Sequence, residues 1–174
     1  FTSILVCGIF ISGIFYLWIY HGLRYGYEAE RPSTETFETV STEETITQEF
    51  IAREYYLKGI EFVFINLAED GNGELDFRVL DSDGRIKANS EIAISSVTAG
   101  EWDFIPLRVR LKAGESYILE ISAKDCSIPP YVLAREKKTV GENTVLTASG
   151  AETSLELLNA YGFAVSASRL ERLL

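Results

Sequence analysis

Apolar and polar residues alternate in several runs of the chain, and this period of two constrains the fold more than any other feature. In the first run Leu75, Phe77 and Val79 alternate with Asp76 and Arg78. Two later runs repeat the pattern with apolar residues at Leu107, Val109, Leu111 and at Tyr117, Leu119, Ile121. A period of two places alternate side chains on opposite faces of a β-strand. The runs therefore predict strands with one face buried, as in antiparallel sheets.

Turn sequences separate these runs. They are EDGNG at 69–73, DSDGR at 81–85 and KAGE at 112–115, and Gly, Asn and Asp favour the backbone conformations of tight turns. The run at 59–67 is apolar on both faces and predicts a central strand that is covered on both sides. Short strands between regularly spaced turns favour an antiparallel sandwich. We predict an all-β fold, a jelly-roll-like β-sandwich over residues 45–165.

The first twenty residues contain no Asp, Glu, Lys or Arg. A helix of that length spans about 30 Å, the thickness of a bilayer hydrocarbon core. Tyr16, Trp18 and Tyr20 suit the aromatic belt at a membrane surface. A buried core helix would show a polar face, and a signal peptide would end in small residues at its cleavage site. We predict a transmembrane helix over residues 1–23, with a cleaved signal peptide as the alternative.

The segments on either side of the predicted sandwich differ from it in composition. Residues 24–44 are rich in Glu and Thr, which predicts an extended acidic stalk. Residues 166–174 predict a short helix, and its apolar end leaves open a second membrane helix beyond it. The chain would then contact lipid through residues 1–20 and other membrane helices of the same protein. We place it in the cell membrane, with residues 24–174 extracytoplasmic.

The charge and the reactive side chains narrow the classes of function. The net charge of −10 lies entirely on residues 21–174, which argues against nucleic acid as a partner because binding to phosphates needs clustered cations. His21 is the only histidine, and Cys7 and Cys126 cannot form an intradomain disulfide framework. No set of side chains marks a catalytic site. We therefore predict a non-enzymatic protein with no catalytic residues and no cofactor.

One turn is rich in oxygen ligands. The sequence EDGNGELD at 69–76 offers carboxylate and amide oxygens of the kind that Ca²⁺ binds. Its spacing departs from that of the EF-hand loop, and a β-hairpin with Asn72 and Gly73 at its tip is the better interpretation. We assign no metal site.

Four aromatic residues near strand ends are candidates for a sugar-binding platform: Tyr55, Tyr56, Trp102 and Tyr131. An aromatic ring can pack on the C–H face of a pyranose, and such a platform needs exposed rings with polar groups around them. Trp102 is the strongest candidate because acidic residues flank it on both sides. The alternative is that Trp102 and one of the paired tyrosines complete the core.

Three stretches carry a resemblance to a known class of domain. They are ITQEFIAREYYLKGIEFVFIN, GELDFRVLDSDGRI and WDFIPLRVRLKAGESYILEIS, within residues 45–135. Their strand and turn pattern is similar to extracytoplasmic β-sandwich domains of Gram-positive bacterial membrane proteins involved in surface polysaccharides. Those domains resemble galactose-binding and carbohydrate-binding modules. The resemblance implies a sandwich fold and brings no catalytic residue to this chain.

Three functions remain open at this point. The first is a membrane-anchored module that binds or positions a cell-surface polysaccharide or another envelope component. The second is a structural ectodomain loop of a multi-pass membrane protein, such as a transporter or a glycosyltransferase-like protein. The third and most remote is a pilin-like subunit, since processed pilins also begin with Phe, but Leu5 stands where that resemblance requires Glu.

Overall fold

The computed structural model describes residues 37–136 and 146–163, and every regular element there except one short helical turn is a β-strand. The strands are β1 (Glu38–Ser41), β2 (Ile46–Ile51), β3 (Tyr56–Ile65), β4 (Glu74–Leu80), β5 (Ile86–Ala93), β6 (Trp102–Arg110), β7 (Ser116–Lys124), β8 (Tyr131–Glu136), β9 (Leu146–Ala148), β10 (Ala151–Thr153), β11 (Leu155–Leu157) and β12 (Asn159–Phe163). The helical turn is a 3₁₀ helix at Ile94–Ser96. The predicted all-β class is confirmed.

The strands form two antiparallel sheets. In sheet A the central strand β3 pairs with β6 on one side and with β12 and the start of β8 on the other, and β8 also pairs with β1 and β11. Sheet B has the order β10-β9-β2-β7-β4-β5. The two sheets pack face to face as a β-sandwich, so each has an inner face toward the other sheet and an outer face away from it.

The inner faces of both sheets supply one hydrophobic core. Phe62 of β3 and Phe77 of β4 stack across the two sheets with their ring centroids 5.8 Å apart, and Phe64 meets Phe77 edge-on at 6.2 Å. The alternating residues predicted to point inward all belong to this core: Leu75, Phe77, Val79, Leu107, Val109, Leu111, Tyr117, Leu119 and Ile121. The predicted strand patterns of β4, β6 and β7 are therefore confirmed.

Strand β3 is buried over most of its length. Ile60, Phe62 and Phe64 lie in the main core, and the alternate residue Val63 belongs to a second, smaller cluster on the outer face of sheet A. The run at 59–67 was predicted to form a central strand covered on both faces. The position of β3 in sheet A confirms that prediction.

Of the segments predicted to lie outside the sandwich, only the end of the stalk falls within the described residues. Strand β1 lies inside the range predicted as stalk, and it pairs with β8 and buries Val40. An isolated polar segment gains backbone hydrogen bonds by joining a sheet, which sequence composition alone does not reveal. The predicted transmembrane helix at 1–23 and the short helix at 166–174 lie outside the described residues. Within the described ranges, the structure contains no helix long and apolar enough to cross a membrane.

Candidate functional site

The structure places the four candidate aromatic residues at two opposite ends of β3. In the sheet register Trp102 lies opposite Val63, and Tyr131 lies opposite Ile65. Tyr56 begins the same strand at its other end, directly after Tyr55. A strand of ten residues is about 30 Å long. The four rings therefore do not form one platform, and each end must be considered as a separate site.

The first site lies at the end of β3 where the strand leaves the sheet. Trp102 and Tyr131 flank β3 from its two sides, and both are partly exposed on the outer face of sheet A. The spacing of neighbouring strands and the shift of two residues between their partners put their Cα atoms about 12 Å apart. Ile65, also partly exposed, lies between them. We call Trp102, Ile65 and Tyr131 the Trp102 platform.

Trp102 also contributes to packing. It lies against a small apolar cluster on the outer face that consists of Val63, Leu133 and Leu158, and Ile65 contacts the same cluster. The alternative prediction, that Trp102 completes the core, is met in part, because Trp102 packs against this second cluster and not against the main core. An indole that is packed on one side and partly exposed on the other is held in a fixed orientation.

The loop before Trp102 is tied to the sheet by two hydrogen bonds. The backbone N–H of Gly100 donates to the carbonyl oxygen of Phe64 over 2.8 Å, and the N–H of Thr98 donates to Oδ2 of Asp103 over 3.0 Å. Burial raises the pKa of Asp103, although the bond from Thr98 opposes that shift. These contacts hold one edge of the Trp102 platform in place. Asp103 lies opposite the core residue Phe62 in the sheet register, so its side chain is on the face opposite to that of Trp102.

The second site lies at the start of β3 and combines tyrosines with cations. Tyr55 is 66% exposed and Tyr56 is partly exposed. Tyr56 lies opposite Arg110 of β6, whose side chain is exposed. Lys58 follows two residues later and is only 6% exposed, and its Nζ atom is buried without a hydrogen-bond partner among residues 37–136 and 146–163. Burial lowers the pKa of Lys58.

A β-bulge shapes this second site. The pairing of β3 with β6 shifts between Leu57 and Gly59, and on β6 the extra residue is Arg108, whose φ is 51°. Positive φ is uncommon for a residue with a side chain. A bulge bends its strand and redirects side chains, and bulges are frequent next to functional sites. Arg108 and Arg110 are both exposed here.

Sequence reasoning recognised part of the second site and missed its most unusual residue. The alternation of β6 predicted that Arg108 and Arg110 point outward, in agreement with their exposure. Lys58 was not singled out, because it precedes the apolar run that predicts β3. The signal was available in the sequence YYLKGIEF, in which a lysine stands within an otherwise buried strand.

The acidic turn at 69–73 has a structural role. Oxygens of Asp70 accept hydrogen bonds from the backbone N–H of Asn72 over 3.1 Å and from the Ser127 hydroxyl over 3.2 Å, and the bond from Asn72 lowers the pKa of Asp70. The predicted hairpin at Asn72 and Gly73 is wrong, because β3 and β4 belong to different sheets. In the described part of the chain, no three His, Cys, Asp or Glu side chains are grouped as metal ligands would be.

Comparisons of the chain with models of protein families and with curated proteins find no match.

Proposed function

We propose that this chain is a membrane-anchored extracytoplasmic module, without enzymatic activity, that binds or positions a cell-surface glycan or another envelope component. The observation that carries this proposal is the Trp102 platform. Trp102 and Tyr131 flank β3 on the same outer face, with the apolar side chain of Ile65 between them. This arrangement offers two rings and an apolar floor to the C–H face of a sugar ring.

The fold is consistent with this proposal. A jelly-roll-like arrangement of the two sheets, similar to galactose-binding and carbohydrate-binding modules, would present such a platform on one sheet face. The resemblance to Gram-positive extracytoplasmic domains supports the same class of ligand. The uncharged residues 1–20 support anchoring in the cell membrane, with the sandwich outside.

The absence of enzymatic activity is proposed from the chemistry of the one described thiol. Cys126 is the only described cysteine, and burial raises its pKa. A nucleophilic cysteine needs a lowered pKa, because the thiolate is the reactive form. The environment of Cys126 therefore opposes a catalytic role.

A titration of the full chain with neutral cell-wall oligosaccharides by isothermal calorimetry tests the platform. Trp102→Ala and Tyr131→Ala should each weaken binding by about two- to tenfold, because each loses a stacking contact worth about 0.5–1.5 kcal/mol. Phe37→Ala is the matched control, since it removes another exposed aromatic ring outside the platform. If the parent binds no neutral glycan, or if Trp102→Ala binds as well as the parent, the platform is not a glycan site.

A second candidate is the structural ectodomain of a multi-pass membrane protein. The apolar cluster of Val63, Leu133 and Leu158 favours it, since this cluster lies on the outer face, away from the main core. Crosslinking in intact membranes separates the two candidates. If the parent binds no glycan and the Trp102 region crosslinks to membrane helices, the second candidate is supported over the first.

The membrane anchor has its own test. Alkaline extraction of cell membranes should leave the full chain in the membrane fraction, and intact mass should show residues 1–23 still present. Release into the soluble fraction, or a mass that lacks those residues, would show that this segment is a cleaved signal peptide.

A further inference from the structure

The second site brings three cations together on a strongly acidic protein, and the described residues supply no ion pair for any of them. Arg108 and Arg110 are exposed, and neither makes an ion pair with the described residues. Lys58 is buried, and its Nζ has no hydrogen-bond partner in the part of the chain that the structure describes. The chain as a whole carries a net charge of −10. On such a surface, cations are normally found next to carboxylates, as Arg135 is with Glu156 at 2.6 Å.

Lys58 is costly to the fold in its present surroundings. A buried ammonium group without a partner loses its hydration and gains no compensating hydrogen bond. Replacing such a group by an apolar side chain of similar length is often neutral or stabilising. Binding sites retain residues that lower stability and do not support the fold, because the function requires them.

The neighbours of Lys58 suit an anionic ligand that also has a flat apolar surface. Arg110 presents a planar guanidinium group that can donate two parallel hydrogen bonds to a carboxylate or a phosphate. Tyr56 lies opposite Arg110 in the sheet register, and Tyr55 beside it is 66% exposed. The tyrosine rings can pack against a sugar while the cations bind its acidic group.

We propose that Tyr55, Tyr56, Lys58, Arg108 and Arg110 form an anion-binding site for the acidic sugar residues of a polysaccharide. The recognised chemistry is a carboxylate or phosphate group carried on a sugar ring. This site is separate from the Trp102 platform: Tyr56 and the partner of Trp102 lie seven residues apart on β3, about 20 Å along the strand. It goes beyond the proposed function, because it selects for charge and does not depend on Trp102.

An anionic membrane surface is the other macromolecular partner that cations could attract. The net charge of −10 repels every polyanion at long range, an acidic polysaccharide included, so only short-range contacts distinguish the two partners. Membrane attraction relies on clusters of several exposed cations, whereas Lys58 is buried and can contact only a group that enters the site. The polysaccharide is therefore the partner that these observations favour.

The test uses the full chain and two acidic probes, hexagalacturonate and a ribitol phosphate oligomer, at physiological salt. The parent should bind at least one of them. If that probe is hexagalacturonate, its fully methyl-esterified form should bind about tenfold more weakly or worse, because it keeps the sugar rings and loses the charge. If only the phosphate oligomer binds, the neutral ribitol oligomer serves as the uncharged comparison. Binding of neither probe, or equal binding of charged and neutral forms, would overturn the proposal.

Lys58→Met is the decisive variant, because loss of the amine should weaken ligand binding and should also make the fold more stable. It should weaken binding of the acidic probe about tenfold or more, while raising the melting temperature by removing the unpaired buried amine. Lys87→Met is the matched control, since Lys87 is exposed on β5 in the other sheet, and it should leave both quantities close to those of the parent. If Lys58→Met binds the probe as tightly as the parent, Lys58 is not part of an anion site.

Two further variants keep the outcome unambiguous. Arg110→Gln changes an exposed side chain and should weaken acidic binding without loss of fold, whereas Arg85→Gln, which changes an exposed arginine in the turn between β4 and β5, should leave acidic binding unchanged. If Arg110→Gln binds the acidic probe as tightly as the parent, or if Arg85→Gln weakens binding equally, the proposal fails, although the proposed function would stand. Vesicles containing phosphatidylglycerol form the last arm: binding to them that requires Lys58, without binding to either oligosaccharide, would identify a membrane surface and overturn the polysaccharide proposal.

Discussion

The ring of Phe104 occupies the space that a β-carbon at Gly59 would need. A β-carbon added at Gly59 would stand 2.5 Å from Cζ of Phe104 and still closer to the carbonyl oxygen of Ile105. Phe104 and Ile105 belong to β6, which pairs with β3 at this point. The close approach of the two strands at the bulge therefore depends on the absence of a side chain at Gly59.

We predict that Gly59→Ala lowers the free energy of unfolding by about 3 kcal/mol, because the carbonyl of Ile105 is fixed within the sheet and cannot move aside. Gly84→Ala is the matched control: Gly84 has a φ of 76° but open space around its Cα, and the strained backbone should cost about 1 kcal/mol. Urea unfolding followed by circular dichroism measures both values. A smaller loss for Gly59→Ala than for Gly84→Ala would contradict the steric argument.

Gln48 ties the two sheets together inside the core. Its Oε1 atom accepts a hydrogen bond of 2.6 Å from the backbone N–H of Leu157, and its Nε2 atom donates a longer one of 3.4 Å to the hydroxyl of Tyr161. Gln48→Leu leaves the N–H of Leu157 buried without an acceptor and should cost about 1–3 kcal/mol.

The Tyr161→Phe variant provides the comparison for Gln48. It removes only the longer of the two hydrogen bonds and should cost less than about 1 kcal/mol. Burial raises the pKa of Tyr161 to about 12, so its hydroxyl remains protonated throughout ordinary working conditions. Equal losses in the two variants would show that the bond to Leu157 is not the stronger contact.

The sequence predicts a turn correctly where the local turn residues alone decide the structure. In DSDGR, an oxygen of Asp81 accepts hydrogen bonds from the backbone N–H groups of Asp83 and Arg85, and Gly84 takes the positive φ. These contacts close the hairpin between β4 and β5, as its sequence predicts. EDGNG has a similar composition, but it connects strands in different sheets, and this choice depends on the partners of β3 and β4 elsewhere in the chain.

Which residues come together in the candidate sites depends on the same pairing between strands that are distant in the sequence. The register of β6 and β8 against β3 determines whether Trp102 lies near Tyr131 or near Tyr55. A shift of one residue in that register would move each ring to the other face of the sheet. The alternation of β6 predicts only that Arg110 points outward. Its position opposite Tyr56 follows from a bulge at Arg108, which the sequence does not mark with glycine.

Asp76 anchors an ion network on the outer face of sheet B. Its side chain is 2% exposed, and Oδ2 lies 2.7 Å from Arg78 and 2.8 Å from Lys124. Asp76→Asn should destabilise the protein, because two cations lose their shared charged partner. Asp83→Asn removes the charge from an exposed pair with Arg85 and should change the stability very little.

The pH dependence of this network has a definite direction. The hydrogen bond to Asp76 raises the pKa of Lys124 above its ordinary value of 10.5. The stabilising contribution of Lys124 is therefore fully present below about pH 10.5 and is lost as the pH rises through the higher folded-state pKa. Thermal unfolding between pH 8 and pH 11 measures this loss, and it should be smaller in Asp76→Asn. An identical alkaline loss in parent and variant would contradict the coupling of Asp76 and Lys124.

Cys126 should react slowly with thiol reagents. Burial raises the pKa of its thiol above the ordinary 9.0, and the Sγ atom lies 3.3 Å from the carbonyl oxygen of Lys124. In a Cys7→Ala background, which leaves Cys126 as the sole thiol, the reaction with Ellman's reagent at pH 8 should be slower than that of glutathione, because less thiolate is present. The rate should keep rising with pH beyond pH 9, and the same chain unfolded in urea should react at the rate of a free thiol. A fast reaction in the folded chain at neutral pH would show an activated cysteine and would reopen the question of enzymatic activity.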